Sequence, residues 1–145
     1  MWNRVLDKKG VTELNKIFGG FHDSCIKEMR YISGAYVSED LSMLPINKKR
    51  NLYVIFQRQA ENPAVIEILF EGVSCLHLCP LDQKYTCEIF DCYFDVVDDT
   101  IYWADSSDFA INQEYDGTWV AAESLCWRTV NEYLGNRIVY GINNN

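Results

Sequence analysis

From Phe21 onward the apolar residues of this chain recur with a period of two, which restricts it to a sheet-based fold. The clearest case is 52–57, where Leu52, Val54 and Phe56 alternate with Tyr53, Ile55 and Gln57. That is a strand buried on at least one face. Residues 24–37 are rich in Ile, Tyr and Val, with Gly34 at a bulge or bend. Residues 39–50 carry Pro45 and a cluster of charge, which predicts a loop. Glu61-Asn62-Pro63 interrupts the pattern before strands at 65–70 and 73–78, separated by a bend at Glu71-Gly72. Asp82-Gln83-Lys84 reads as a turn, 86–97 as a long strand, Asp98-Asp99 as a tight turn and 100–104 as its hairpin partner. A polar loop at 105–117 precedes a last strand at 118–128, with Trp119, Ala121, Glu123, Leu125 and Trp127 on one side. The tail at 142–145 is expected to fray.

One helix precedes this region. Thr12 is its expected N-cap, Leu14, Ile17 and Phe18 fall at helical spacing, and Gly19-Gly20 stops it. The expected fold is α+β and mainly β: a twisted antiparallel meander of about six or seven strands with one short N-terminal helix. A chain of 145 residues suits one domain, 1–145, and at 48% hydrophobic it can build a core without a metal or disulfide.

Charge is sharply segregated. Residues 82–123 hold eleven Asp and Glu against one base, Lys84, so about −10 of charge lies there while the remainder carries +2. Nucleic-acid binding is not expected, because phosphate recognition needs a basic stripe and Lys48-Lys49-Arg50 is only a short run. The N-terminus lacks the apolar segment of a secretory signal, and no stretch has the length of a membrane span, so the expected compartment is the cytoplasm. Six cysteines there are expected as reduced thiols.

The chemistry-bearing residues divide into three groups. Cys75, His77 and Cys79 share one side of a strand, where a zinc ion could take a fourth ligand from Cys87 or Cys92. The spacing has no C-x-x-C pair, so ordinary thiols on a half-exposed strand are the simpler reading, and no cofactor is expected. His22, Asp23 and Ser24 are sequence neighbours, which on a strand point to different faces and cannot form a relay. A small hydrolase would need His22 with a distant Asp or Cys. The carboxylates Asp91, Asp95, Asp98, Asp99, Asp105, Asp108, Glu114 and Asp116 form the richest set. They lack the calcium-loop pattern, and Asp91 and Asp95 on one strand stand about 13 Å apart, too far for a typical glycosidase pair. Concentrated acid suits steering of a basic protein instead, with Tyr102 or Trp103 as an aromatic anchor.

Phe21-His22-Asp23-Ser24-Cys25-Ile26, the run Phe70-Glu71-Gly72-Val73 with Leu76, and the ending Leu125-Cys126-Trp127 resemble a set of small β-rich bacterial proteins, some similar to the immunity protein 50 group of polymorphic-toxin systems. The resemblance implies a non-enzymatic domain that binds and neutralises a cognate toxin. The remaining alternative is a structural or self-associating protein with no dedicated site, since free strand edges leave pairing between copies open.

Overall fold

The computed structural model describes residues 1–141, so the tail at 142–145 lies outside the described residues. The chain is mainly β, with strands β1 (Asn3–Val5), β2 (Ser24–Ile32), β3 (Tyr36–Val37), β4 (Met43–Leu44), β5 (Asn51–Arg58), β6 (Val65–His77), β7 (Tyr93–Val97), β8 (Thr100–Ala104) and β9 (Trp119–Thr129), and one helix, α1 (Lys8–Ile17). No helix among them is long and apolar enough to cross a membrane.

The main sheet is antiparallel, in the order β2-β5-β6-β9-β8-β7. It is not the simple meander expected: β9 inserts between β6 and β8, and the β7–β8 hairpin moves to the far edge. The cause is length. β6 and β9 are the two longest strands and pair from Ile66 opposite Thr129 to His77 opposite Trp119. The other edge of β9 is shared end to end, with β8 along Trp119–Ala122 and β1 along Leu125–Trp127.

The two strands predicted at 65–78 are one strand bent at Gly72, whose φ of +64° puts it in the left-handed region. A β-carbon there would meet the Glu123 side chain at 2.6 Å, so the position takes glycine on two counts. The bend reverses which residues face inward. Ile66, Ile68 and Phe70 reach the core before it, Val73 after it. β9 reverses with its partner, so Val120 and Ala122 face inward at one end, Leu125 and Trp127 at the other. Trp119 and Ala121 therefore lie on the outer face, not on one side with Leu125 and Trp127.

The helix starts earlier than expected. Asp7, not Thr12, is the N-cap, its Oδ1 accepting from Gly10 N at 2.9 Å. Val11, Leu14 and Phe18 then face the core. Gly19, Gly20 and Phe21 all have positive φ, at 61°, 68° and 61°. Left-handed backbone is costly for a residue as bulky as phenylalanine. The return is packing: the Phe21 ring is fully buried and meets Phe18, Phe56, Phe94 and Trp103 edge-on at 5.0–5.8 Å.

Beyond Phe21 the sheet curls until its two edges meet. Asp23 N donates to Ile89 O and Ile89 N to Ser24 O, at 2.9 and 2.7 Å, while Ser24 Oγ donates to Phe21 O at 2.6 Å. The segment leading into β7 thus closes on β2. That pairing shortens the strand predicted at 86–97 to Tyr93–Val97, because the chain turns away to reach Ser24.

The outer face of β2, β5 and β6 is covered by residues 131–140, which pack on Ile55, Val65 and Val130. Polar groups hold this strap. The Glu28 carboxylate accepts from Val139 N and Tyr140 N at 2.9 Å and pairs with Lys27 Nζ at 2.5 Å. Gln57 Nε2 donates to the carbonyls of Tyr133 and Gly135. The buried Glu67 carboxylate takes two bonds from Arg128, at 2.7 and 2.8 Å, and one from the Tyr140 hydroxyl. Burial alone would raise the Glu28 pKa, but the Lys27 ammonium and the two strap amides outweigh it and hold the carboxyl below its ordinary value.

Replacing Phe21 by Ala is expected to cost about 3–5 kcal/mol, a large part of the roughly 5–15 kcal/mol that holds a domain folded, read as a large drop in Tm, with Leu recovering part. A lowered carboxyl pKa contributes stability that is complete above the unfolded-state value and lost as pH falls through the folded one. Acidification below about pH 4 should therefore release the strap ahead of the core, seen as early amide exchange at 131–140. Glu28→Ala should show that exchange already at neutral pH.

Candidate functional site

The expected acidic surface is built on β7, β8 and the loop at 105–118. Asp98 and Asp99 have φ of 49° and 62°, the left-handed pair of a two-residue hairpin turn, as the sequence predicts. Both are exposed at the hairpin tip. Asp95 and Tyr102 lie opposite each other on the outer face, and Lys8 Nζ reaches round the edge strand to Asp95 at 3.3 Å. Trp103 does not belong to this surface. It points into the core at 1% exposure, because Ile101 and Trp103 share the inward parity of β8.

The remaining acids gather at the opposite end of β8, about 17 Å from the tip for a strand of this length. Asp91 accepts from Ser107 Oγ at 2.7 Å. Asp105 accepts from the Tyr115 hydroxyl and from Thr118 N at 3.1 Å, pinning the loop at its base. Burial, and then the Asp105 carboxylate, push the Tyr115 hydroxyl pKa up, so it remains a donor. Asp108, Glu114 and Asp116 are exposed. Among the described residues no Lys, Arg or His lies within ion-pair distance of Asp91, Asp98, Asp99, Asp105, Asp108, Glu114 or Asp116. The ten expected contact residues are thus one buried tryptophan, a two-aspartate tip, a central Asp95–Tyr102 pair, four acids of the loop, and Asp91, which is bonded to that loop through Ser107.

Phe109 is the organising residue that sequence reasoning missed. It is buried and packs on Tyr93, Tyr115 and Trp119 at 5.1–5.3 Å and on Tyr102 at 6.2 Å. Its signal was present: a large aromatic in the middle of an otherwise polar loop. Between this loop and the sheet runs a groove of about 300 Å³, lined by Tyr102, Phe109, Ile111, Trp119, Ala121 and Cys75.

The other candidate groups diverge. Cys75 faces this groove, while Cys79 and Cys87 line a separate cavity of about 280 Å³ at the mouth of the curled sheet. His77 Nδ1 donates to Gly117 O at 2.6 Å. Cys92 donates to Asn15 Oδ1 at 3.3 Å, and burial pushes its thiol pKa up to about 12. Among the described residues no three His, Cys, Asp or Glu side chains converge as metal ligands.

His22 and Asp23 do meet, contrary to the strand-based expectation. Asp23 has φ of 55°, so the two side chains turn to the same side and His22 Nε2 stands 3.4 Å from Asp23 Oδ2. The other ring nitrogen donates to Phe90 O at 2.7 Å. Both side chains are half exposed, and no described Ser or Cys side chain hydrogen-bonds the ring.

Compared with known proteins, the chain matches no family model, no curated protein and no solved structure.

Truncating Phe109 to Ala should cost about 3 kcal/mol and free the loop, so that limited proteolysis cuts within 106–117 while the sheet stays resistant.

Proposed function

We propose that the chain is a non-catalytic protein-binding domain that neutralises a basic partner, in the way the resemblance to toxin immunity proteins implies. The observation that supports this is the loop at 105–118. Among the described residues its exposed carboxylates have no ion-pair partner, yet its backbone is pinned by Phe109 and by the Asp105 bonds to Tyr115 and Thr118. An acidic face spent only on solubility needs no rigid scaffold. An interface does, because pre-organised groups lose less entropy on binding. In this reading Asp108, Glu114 and Asp116 with the tip Asp98 and Asp99 steer a cationic protein and stand in for the anionic substrate of a toxin. Tyr102, in place of Trp103, supplies the aromatic contact beside the groove. The setting is the cytoplasm, with its six cysteines as free thiols.

The test is titration with the basic product of the neighbouring gene at two salt concentrations. Affinity should fall with salt, and reversing Asp108, Glu114 and Asp116 together to Lys should weaken it about 100-fold or more, mostly through a slower association rate. Affinity indifferent to both changes would remove the electrostatic reading.

A further inference from the structure

Residues 33–50 form an arm that leaves the sheet between β2 and β5 and that neither the acidic loop nor the strap explains. Its base is closed by Ser33 O, which accepts from Lys49 N and Arg50 N at 3.0 and 3.1 Å. Its shaft is the β3–β4 pair, with Tyr36 opposite Leu44 and Val37 opposite Met43. Its tip is the turn at 38–42, where Ser38 N donates to Ser42 O and Leu41 N to Ser38 O, both at 2.8 Å. The sequence reads the second half of this arm as a loop, because a two-residue strand bordered by Pro45 leaves almost no periodic signal.

The arm stands clear of the body on both faces. Successive residues Tyr36 and Val37 point to opposite sides of a strand, and they are 58% and 53% exposed. Leu41, Met43 and Ile46 are exposed further still, at 83%, 65% and 61%. A two-stranded hairpin is marginal by itself in water, and apolar side chains concentrated on one are a recognised mark of an interaction surface. The arm is nevertheless held at a fixed angle. Gly34 has φ of +94°, and a β-carbon there would meet Lys49 N at 2.8 Å. Val73 N donates to Arg50 O at 2.9 Å, and Arg50 pairs with Glu123 at 3.1 Å.

The occupant follows from the two edges and the charges. The β3–β4 sheet has no third strand among the described residues, so both edges are unpaired. Pro45 follows β4 directly and removes a donor from that edge; on β3 Ala35 N already donates to Ser33 Oγ at 3.1 Å, so Val37 carries the free donor of the edge that accepts a further strand. The tip carries Glu39 and Asp40, both exposed, and the base carries Lys48 and Lys49, also exposed and packed beside Gly34. None of these four has an ion-pair partner among the described residues. Facing residues of an antiparallel pair share a side of the sheet, so if β3 pairs antiparallel with β3 of a second copy, a two-fold axis at Val37 brings Glu39 of each chain opposite Ala35 of the other, one residue from Gly34. Each acidic tip then lies beside the other chain's basic base, twice over, and Val37 of one arm meets Val37 of the other between them.

We propose that the β3–β4 arm is a self-association surface, through which two copies of this chain join by antiparallel β3–β3 pairing, the Glu39-Asp40 tip of each against the Lys48-Lys49 base of the other. The acidic loop at 105–118 takes no part, so this proposal stands apart from the toxin-neutralising one.

Sedimentation velocity on the full chain between about 1 and 100 µM tests it. The wild type is expected to pass from one to two chain masses over that range, with weaker association at high salt. Val37→Asp, at the centre of the paired edge, should weaken self-association about tenfold or more. The decisive arm uses two charge-reversed chains. Lys48→Glu with Lys49→Glu, and separately Glu39→Lys with Asp40→Lys, should each be monomeric alone, because tip and base then repel. Mixed one to one, the two should form a heterodimer of near wild-type affinity, since every facing pair is again opposite in sign. That rescue cannot come from misfolding, and unchanged far-UV circular dichroism of each variant checks folding directly. Wild type that stays monomeric throughout, a dimer insensitive to the arm substitutions, or a mixture that fails to associate would each overturn the proposal. Asp108→Lys with Glu114→Lys should leave the dimer intact, and loss of the dimer in that variant would move the surface to the acidic loop and count against the arm.

Discussion

The packing of Phe21 among Phe18, Phe56, Phe94 and Trp103 is the interaction on which the rest of the molecule depends. It sits where the chain leaves α1 and enters β2, in a backbone conformation that phenylalanine adopts only under constraint. The constraint is mutual. The ring is held by β5, β7 and β8, and by filling the concave side it keeps the sheet curled over α1. Two bonds between Asp23, Ser24 and Ile89 then join the sheet's edges at that point. The glycines at 19 and 20 make the turn sterically accessible, and the ring cluster makes it worth adopting.

Once the concave side is filled, the outer face is left to be partitioned, and three devices divide it. The strap at 131–140 covers β2, β5 and β6 through Glu28, Gln57 and Glu67. The loop at 105–118 covers β7, β8 and the near end of β9 through Phe109. The arm at 33–50 covers nothing of the body and stands out from it. The first two are each anchored by aromatic rings and by carboxylates used as acceptors, so several acids and tyrosines that look functional in the sequence are structural. Asp105 is the plainest case: its two oxygens hold the loop, while Asp108, Glu114 and Asp116 face solvent.

The fold was largely legible wherever a residue's neighbours in sequence decide its environment. Alternation in β5, the Asp98-Asp99 turn and the break at Gly19-Gly20 are local events with local causes. The errors fell where a distant partner overrides that logic. Thr12 has the chemistry of an N-cap, but Val11 and Leu14 must reach the core, which draws the helix start back to Asp7. Residues 86–92 have strand-like composition, yet Ile89 is diverted to Ser24. The candidate site was legible in the same measure. The acids were found as a set, while their division into tip, centre and loop depends on β8 running between them. His22 and Asp23 were separated by strand reasoning and brought together by a positive φ that no periodicity reports.

By itself the sequence determined the class of the fold, the strand-forming segments and the concentration of negative charge on 82–123, because period, propensity and composition are properties of the chain alone. Only the tertiary structure decided that β9 lies between β6 and β8, that Trp103 is core and Phe109 the loop's anchor, and that the Glu71-Gly72 bend turns over the faces of two strands at once. Those outcomes depend on which long strand finds which partner and on one glycine's dihedral angle, and neither is written in the alternation of residue types.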